Sequence, residues 1–303
     1  MERLTIKKVL FATDFLESSR LALDYAVVIA HHFRASLLLL HAVELPPAAE
    51  EVEAMGLGPS ISRKAAENRI ANFASGIRRL GLPVQTSVLD GTPCHVIEDA
   101  VRQHAPDVLV LGVHGVHRGI NHLLIGSNTE KLLQTVPCPV LSVGAHVLAG
   151  VDLHIALKEI VYCSDLTPEA APAAVYALRL GEEFKVPVAV CQLSDSDHNP
   201  HLTRETVERY CAALRRLAPD IDEQWCTPEF HLQCAMTLDG ILRRAEKEES
   251  GLIVLGIHPE TQLKRHLHTS LAYQLLTRSV CPVLSIHAGA GSANQSCEYP
   301  NNA

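Results

Sequence analysis

The residues best suited to bind a ligand in this sequence are glycines that follow an apolar segment. Val108 to Leu111 contain no polar residue, which predicts a strand buried on both faces. Gly112 and Gly115 come soon after it, and the pair Gly126-Ser127 precedes a segment that predicts a helix. Because backbone N–H groups at a glycine-rich turn and at a helix N-terminus attract anions, this arrangement predicts a phosphate site.

An acidic residue closes the first predicted strand, Lys8 to Asp14, and adds a second half to this site. In open parallel sheets, ligands bind beyond the carboxyl ends of strands, at the point where the winding reverses. If the first and fourth strands flank that point, Asp14 and the glycines face one crevice. Asp14 can accept hydrogen bonds from a base amine or a ribose, or help to hold Mg²⁺. Ser127 and Thr129 can donate hydroxyl groups to phosphates.

The same residues also have structural alternatives. Asp14 and its counterpart Asp165 can cap the helices that follow them. Ser127 to Glu130 fit a capping box, so Ser127 can serve its own helix. Gly112 and Gly115 can be ordinary turn glycines.

The elements that carry these residues occur twice in the chain. The first half reads βαβ, then a loop over 44–62, then αβαβαβ, which predicts a mainly parallel sheet with right-handed crossovers. Glu159 to Asp165 repeat the first strand, and Val280 to Ile286 nearly repeat Pro137 to Val143. We therefore predict two tandem domains at 1–145 and 159–287, a linker at 146–158 and a disordered tail at 288–303.

Composition limits the class of protein. The chain has 303 residues, 47% of them hydrophobic but only 4% aromatic, so aliphatic side chains must build the core. A formal charge of −8, without any run of more than two basic residues, argues against nucleic-acid binding.

No apolar stretch reaches the roughly 18 residues of a membrane span, and no signal peptide is evident. The nine cysteines contain no CxxC pair, which favours reduced thiols in the cytoplasm. The histidines show no convincing zinc spacing, so we expect no metal site of that kind.

On these motifs the sequence resembles the universal stress protein family. That family carries G-x2-G-x9-G-S/T before its last helix and an Asp at the end of its first strand. Gly112-Val-His-Gly115 and Gly126-Ser127 match the motif, and the Cys-Pro-Val strand that follows fits as well. The resemblance covers nearly the whole chain, twice. It implies two Rossmann-like domains of the adenine nucleotide alpha hydrolase-like type, each a mainly parallel five-stranded sheet with helices on both faces.

The resemblance also implies a nucleotide site, in the first domain only, for ATP or a related adenine nucleotide, with or without Mg²⁺. Residues near adenosine would be Ala12, Thr13 and Asp14, with Ala42 on the base. Residues along the ribose and phosphates would be Leu111, Gly112, His114 and Gly115. Residues closing over the phosphates would be Gly126, Ser127, Asn128 and Thr129.

Two departures from the family pattern bear on this site. Ten residues separate Gly115 from Gly126 where the family has nine, which can displace the phosphate-binding N–H groups. The second domain has Pro259 in place of the second glycine, which removes an N–H donor and fixes φ. It also has Thr269-Ser270 in place of the Gly-Ser pair. We therefore expect weak nucleotide binding in the second domain, or none.

Three functions remain open from the sequence. The first is a nucleotide-binding stress-response protein that acts through conformation or partner binding. The second is a nucleotide-free interaction module. In the family that this sequence resembles, the last strands often mediate pairing, and the matching segments here are Pro139 to Val143 and Pro282 to Ile286. The resemblance therefore implies an intramolecular pseudo-dimer of the two domains, or a homodimer of two chains. The third and least supported is an enzyme, since no nucleophile elbow, Walker A lysine or general base is evident. We therefore predict slow ATP hydrolysis or none.

Overall fold

In the computed structural model, the described residues form one sheet of nine strands. The structure describes residues 4–44, 59–113, 127–147, 157–164, 171–192, 212, 238–247, 251–257 and 271–287. The strand order is β3-β2-β1-β4-β5-β9-β8-β6-β7. All neighbours in that order run parallel except β5 and β9.

The first half supplies five parallel strands. They are β1 Lys8–Ala12, β2 Ser36–Val43, β3 Val84–Asp90, β4 Val108–Gly112 and β5 Val140–Val143. Aliphatic runs build the central strands, because both faces of a parallel sheet are covered by helices. The strand order reverses between β1 and β4, which lie side by side. The condition on which the predicted site depends, that the first and fourth strands flank the reversal, is therefore met.

Helices cover both faces of this part of the sheet. They are α1 Glu17–Phe33, α2 Pro59–Arg78, α3 Pro93–His104 and α4 Ser127–Thr135. Side chains alternate along each strand, so Phe11 packs with α1 and α2 while Leu10 packs with α3 and α4. This confirms the predicted arrangement of helices on both faces.

Two local predictions about helix starts are corrected by the structure. Helix α2 begins at Pro59, so the predicted loop over 44–62 is shorter, and proline suits a first helical position. Ser18 and Ser19 precede the apolar positions of α1, so the sequence predicts that one of them caps the helix. The N-cap is instead Leu16, and both serines lie inside the first turn. Thr92 before Pro93 predicts the cap of α3, and Thr92 is indeed the N-cap residue, although its hydroxyl contacts His95 Nδ1 at 3.0 Å.

The second half repeats the first. Its strands are β6 Ile160–Ser164, β7 Val188–Gln192, β8 Leu252–Ile257 and β9 Val283–His287, and its helices are α5 Ala171–Phe184, α6 Leu238–Lys247 and α7 Leu271–Arg278. Val9 pairs with Leu37, and Ile160 pairs with Val188 in the same way, which fixes the equivalence of the two halves. From the repeat, the sequence also predicts a helix at 202–217 and a strand at 229–235, as copies of the long helix and the third strand of the first half. Apart from Ala212, both segments lie outside the described residues.

The two halves meet where β5 pairs with β9, a contact that we call the seam. Leu141 lies opposite Leu284, Val140 opposite Ser285, and Ser142 opposite Val283. In the repeated sequence Leu141 corresponds to Leu284 and Ser142 to Ser285. The register is therefore unchanged when the two halves are exchanged.

No helix among the described residues is long and apolar enough to cross a membrane.

Candidate functional site

The carboxyl ends of β1 and β4 form the centre of the candidate site. Ala12 lies opposite Leu111 in the sheet, so Thr13 and Gly112 follow two neighbouring strand ends. The N–H of Thr13 donates to the Leu40 carbonyl at 2.9 Å, and the N–H of Val113 donates to the Val143 carbonyl at 2.8 Å. These bonds hold both segments at the same edge of the sheet, as the sequence predicted.

Asp14 lies at this edge with an exposed side chain. Its Oδ1 accepts a hydrogen bond from the N–H of Leu16 at 2.9 Å and another from the Ser19 hydroxyl at 2.5 Å. The carboxylate is thus held by the segment that starts α1, but the N-cap is Leu16 and no side chain caps the helix, so the helix-capping alternative for Asp14 is not confirmed. Because the side chain remains exposed, this structural role does not prevent contact with a ligand.

An aromatic cluster that the sequence analysis missed supports this loop. Phe15 is buried although its φ is 64°, a left-handed conformation that a bulky residue rarely adopts. Its ring packs against His41 at 4.4 Å between centroids and against Phe73 at 5.8 Å, and the Arg69 guanidinium lies 4.7 Å from its centroid. Strain of this kind costs about 1–3 kcal/mol and persists only where packing enforces it. The phenylalanine directly after Asp14 is the one signal that sequence alone offered.

His41 links the ends of β1 and β2. Its Nδ1 lies 2.7 Å from the carbonyl oxygen of Thr13. A carbonyl only accepts, so Nδ1 carries the hydrogen and, in the neutral ring, Nε2 is left as an acceptor. The hydroxyl of Thr13 accepts from the N–H of Phe15 at 2.9 Å. The segment from Thr13 to Phe15 is therefore held through its backbone and its side chains.

Gly112 has a packing role that is visible in the structure. A Cβ at this position would lie 2.6 Å from the backbone carbon of Ser18 and 2.6 Å from the nitrogen of Ser19. The first turn of α1 therefore rests on the end of β4 only because residue 112 has no side chain. This close approach explains the glycine without any ligand.

Some of the remaining predicted site residues lie within the part of the chain that the structure describes, and others do not. Ala42 is half-buried at the end of β2, and Leu111 is buried. Helix α4 begins at Ser127 and includes Asn128 and Thr129 in its first turn. Since α4 returns the chain from β4 to the parallel strand β5, its N-terminus lies at the carboxyl edge of the sheet. His114, Gly115 and Gly126 lie outside the described residues.

Neither metal chemistry nor thiol chemistry is indicated among the described residues. They contain no group of three or more His, Cys, Asp or Glu residues that could hold a metal ion. Cys138 and Cys281 are buried free thiols that lie just before β5 and β9. Burial raises the pKa of Cys138 to about 12 and that of Cys281 to about 11, so both thiols stay protonated at neutral pH.

Comparison with known proteins identifies the family. The model of the universal stress protein family matches the chain twice, at residues 5–144 and 156–287. The chain belongs to the universal stress protein family. It therefore carries two universal stress protein units in tandem, as its repeated sequence predicted.

Curated relatives and a solved structure agree with this assignment. A universal stress protein of Methanocaldococcus jannaschii is 26% identical over 140 residues, which cover 45% of this chain and 81% of that protein. One from Thermus aquaticus is 28% identical over 142 residues, covering 45% of this chain and 98% of that protein. The crystal structure of a universal stress protein from Archaeoglobus fulgidus covers 93% of this chain and 98% of its own, with a TM-score of 0.65 and 17% identity. That structure shares the fold across both halves.

Proposed function

We propose that the first half of this universal stress protein binds one adenine nucleotide, ATP with or without Mg²⁺. The observation that carries the proposal is the meeting of β1 and β4 at the reversal of the strand order. Asp14 follows one of these strands and Gly112 ends the other. This is the position where open α/β sheets bind ligands.

Each part of the nucleotide has suitable residues at this edge. The small side chains of Ala12 and Ala42 leave room for a base beside the strand ends. Asp14 is exposed and accepts hydrogen bonds, which suits a ribose hydroxyl or a hydrated Mg²⁺. The N–H groups at the start of α4, together with the hydroxyls of Ser127 and Thr129, suit the phosphates.

The second half has less suitable residues at the equivalent positions. Cys163 replaces Ala12, and Gln192 replaces His41, as the matching strand registers show. Pro259 removes one of the N–H groups that the phosphate loop would supply. We therefore assign the nucleotide to the first half alone.

The bound nucleotide would regulate the protein in the cytoplasmic stress response rather than undergo turnover. The exchange-symmetric register of the seam supports an intramolecular pseudo-dimer, since an isologous contact has this symmetry. It also favours the second candidate function, a nucleotide-free interaction module. In both cases the paired halves present one assembled surface to a partner.

Three variants separate nucleotide binding by Asp14 from its structural contact with Ser19. Asp14→Ala should weaken ATP binding by at least tenfold, measured by isothermal titration calorimetry. Ser19→Ala breaks the same Asp14–Ser19 contact from the other side and should change the affinity less than threefold. Asp165→Ala, at the equivalent position of the second half, should leave the affinity unchanged. Equal losses in Asp14→Ala and Ser19→Ala would reduce Asp14 to a structural role and remove the main support for the proposal.

A further inference from the structure

A cavity lies where the two halves meet, on the sheet face covered by α1 and α5. Its walls come from both halves and include Tyr25, Phe33 and Leu141 of the first, and Tyr176, Phe184 and Leu284 of the second. The cavity is partly open to solvent, and its rim includes the partly exposed rings of Phe33 and Phe184. It lies apart from Asp14 and from the carboxyl ends of β1 and β4.

The walls of the cavity are duplicated by the repeat. Ile160 is the counterpart of Val9, and the same spacing makes Tyr176 the counterpart of Tyr25, and Phe184 that of Phe33. Leu141 and Leu284 face each other at the centre of the seam. Equivalent apolar residues therefore surround the axis that relates the halves. Just beyond them the copies diverge, since His32 corresponds to Glu183.

The chemistry of the lining excludes a polar occupant. All its side chains are aliphatic or aromatic, and no charged residue contributes. Burial raises the pKa of the Tyr25 and Tyr176 hydroxyls, so both rings stay neutral. The cavity volume, taken as the space open to the centre of a water molecule, is about 50 Å³, several times the roughly 10–15 Å³ that one water needs. Water held there would lack the two to four polar partners that stabilise buried water.

We propose that this cavity binds the end of an aliphatic chain, such as the acyl chain of a fatty acid. An extended chain can enter through the open side and bury its methyl end between the rings and leucines. A carboxylate or larger head group stays outside, because the lining offers nothing to neutralise it. The site exists only when the halves are paired, so a bound chain stabilises the seam. It is independent of the nucleotide proposed at the other end of β1.

Titration of the full-length protein with butanoate, hexanoate and octanoate tests the site. Affinity should rise about fourfold for each methylene until the cavity is full, with one chain bound per protein. Isothermal titration calorimetry gives both the affinity and the stoichiometry. A wild-type protein that binds none of the three acids would overturn the proposal and show that the cavity is a packing void.

Cavity-filling variants locate the binding. Ile29→Phe fills the cavity from α1, and Leu180→Phe fills it from the equivalent position in α5. Each should weaken octanoate binding at least tenfold while far-UV circular dichroism and ATP affinity stay unchanged. Val28→Phe is the matched control, because Val28 is a partly exposed α1 residue that does not line the cavity. Binding of octanoate that is undiminished in a folded Ile29→Phe or Leu180→Phe protein would place the acid elsewhere and refute the assignment.

Discussion

Replacing Gly112 with alanine tests how closely α1 rests on β4. The new Cβ would lie 2.6 Å from backbone atoms of Ser18 and Ser19, whereas ordinary contact requires at least 3.4 Å. Backbone atoms in the first turn of a helix cannot rotate away as a side-chain end can, so α1 must shift as a unit. Overpacking of this kind costs about 1–3 kcal/mol. We expect the free energy of unfolding to fall by about that amount in urea denaturation, with an unchanged m value.

Gly76→Ala is the matched control for this experiment. Gly76 lies inside α2, and a Cβ there would meet nothing within 4 Å. Alanine should therefore raise the free energy of unfolding by about 0.5–1 kcal/mol, through its better helix propensity. The same substitution thus has opposite signs at the two positions. A Gly112→Ala protein within about 0.5 kcal/mol of wild type, the usual range for inert surface changes, would refute the packing argument.

Three further predictions concern the seam and its surroundings. Ser142 and Ser285 have buried hydroxyls without a hydrogen-bond partner among the described residues, so alanine at either position should stabilise the protein by about 1 kcal/mol in urea denaturation. Destabilisation by either substitution would show that the hydroxyl is satisfied. His32 Nε2 of the first half lies 3.0 Å from Glu183 Oε1 of the second. A double-mutant cycle with alanine at both positions should give a coupling free energy of about 0.2–1 kcal/mol. Strictly additive effects of the two substitutions would show that this pair does not stabilise the contact between the halves. Burial raises the pKa of Cys138 to about 12, so iodoacetamide at pH 8 should label this thiol only after the protein unfolds. Peptide mapping measures the labelling, and a labelled Cys138 in the native protein would contradict its burial.

The buried strands, the repeat and the edge of the sheet that carries the candidate site could be predicted from the sequence. Apolar runs such as Val108 to Leu111 predicted the buried strands, because central strands of a parallel sheet need apolar side chains on both faces. The near-identity of Pro137 to Val143 and Val280 to Ile286 predicted the repeat. Rules for parallel sheets then placed Asp14 and Gly112 at one edge.

Details that depend on tertiary contacts escaped the sequence. Leu16, and not Ser18 or Ser19, is the N-cap of α1, and the first turn of this helix lies against Gly112 on a distant strand. The left-handed conformation of Phe15 is enforced by His41 and Phe73, which are distant in sequence. The cavity between the halves depends on the pairing of β5 with β9, which places side chains of both repeats against each other.

The most direct test of the proposed nucleotide site is the stoichiometry of ATP binding to the full-length chain. Isothermal titration calorimetry in the presence of Mg²⁺ should give one ATP per chain. The same saturation should raise the melting temperature, since ligand at 100 times its dissociation constant adds about 2.7 kcal/mol of stability. Two ATP molecules per chain would contradict the assignment to the first half alone. No bound ATP, with an unchanged melting temperature, would contradict nucleotide binding and leave the paired halves as an interaction module.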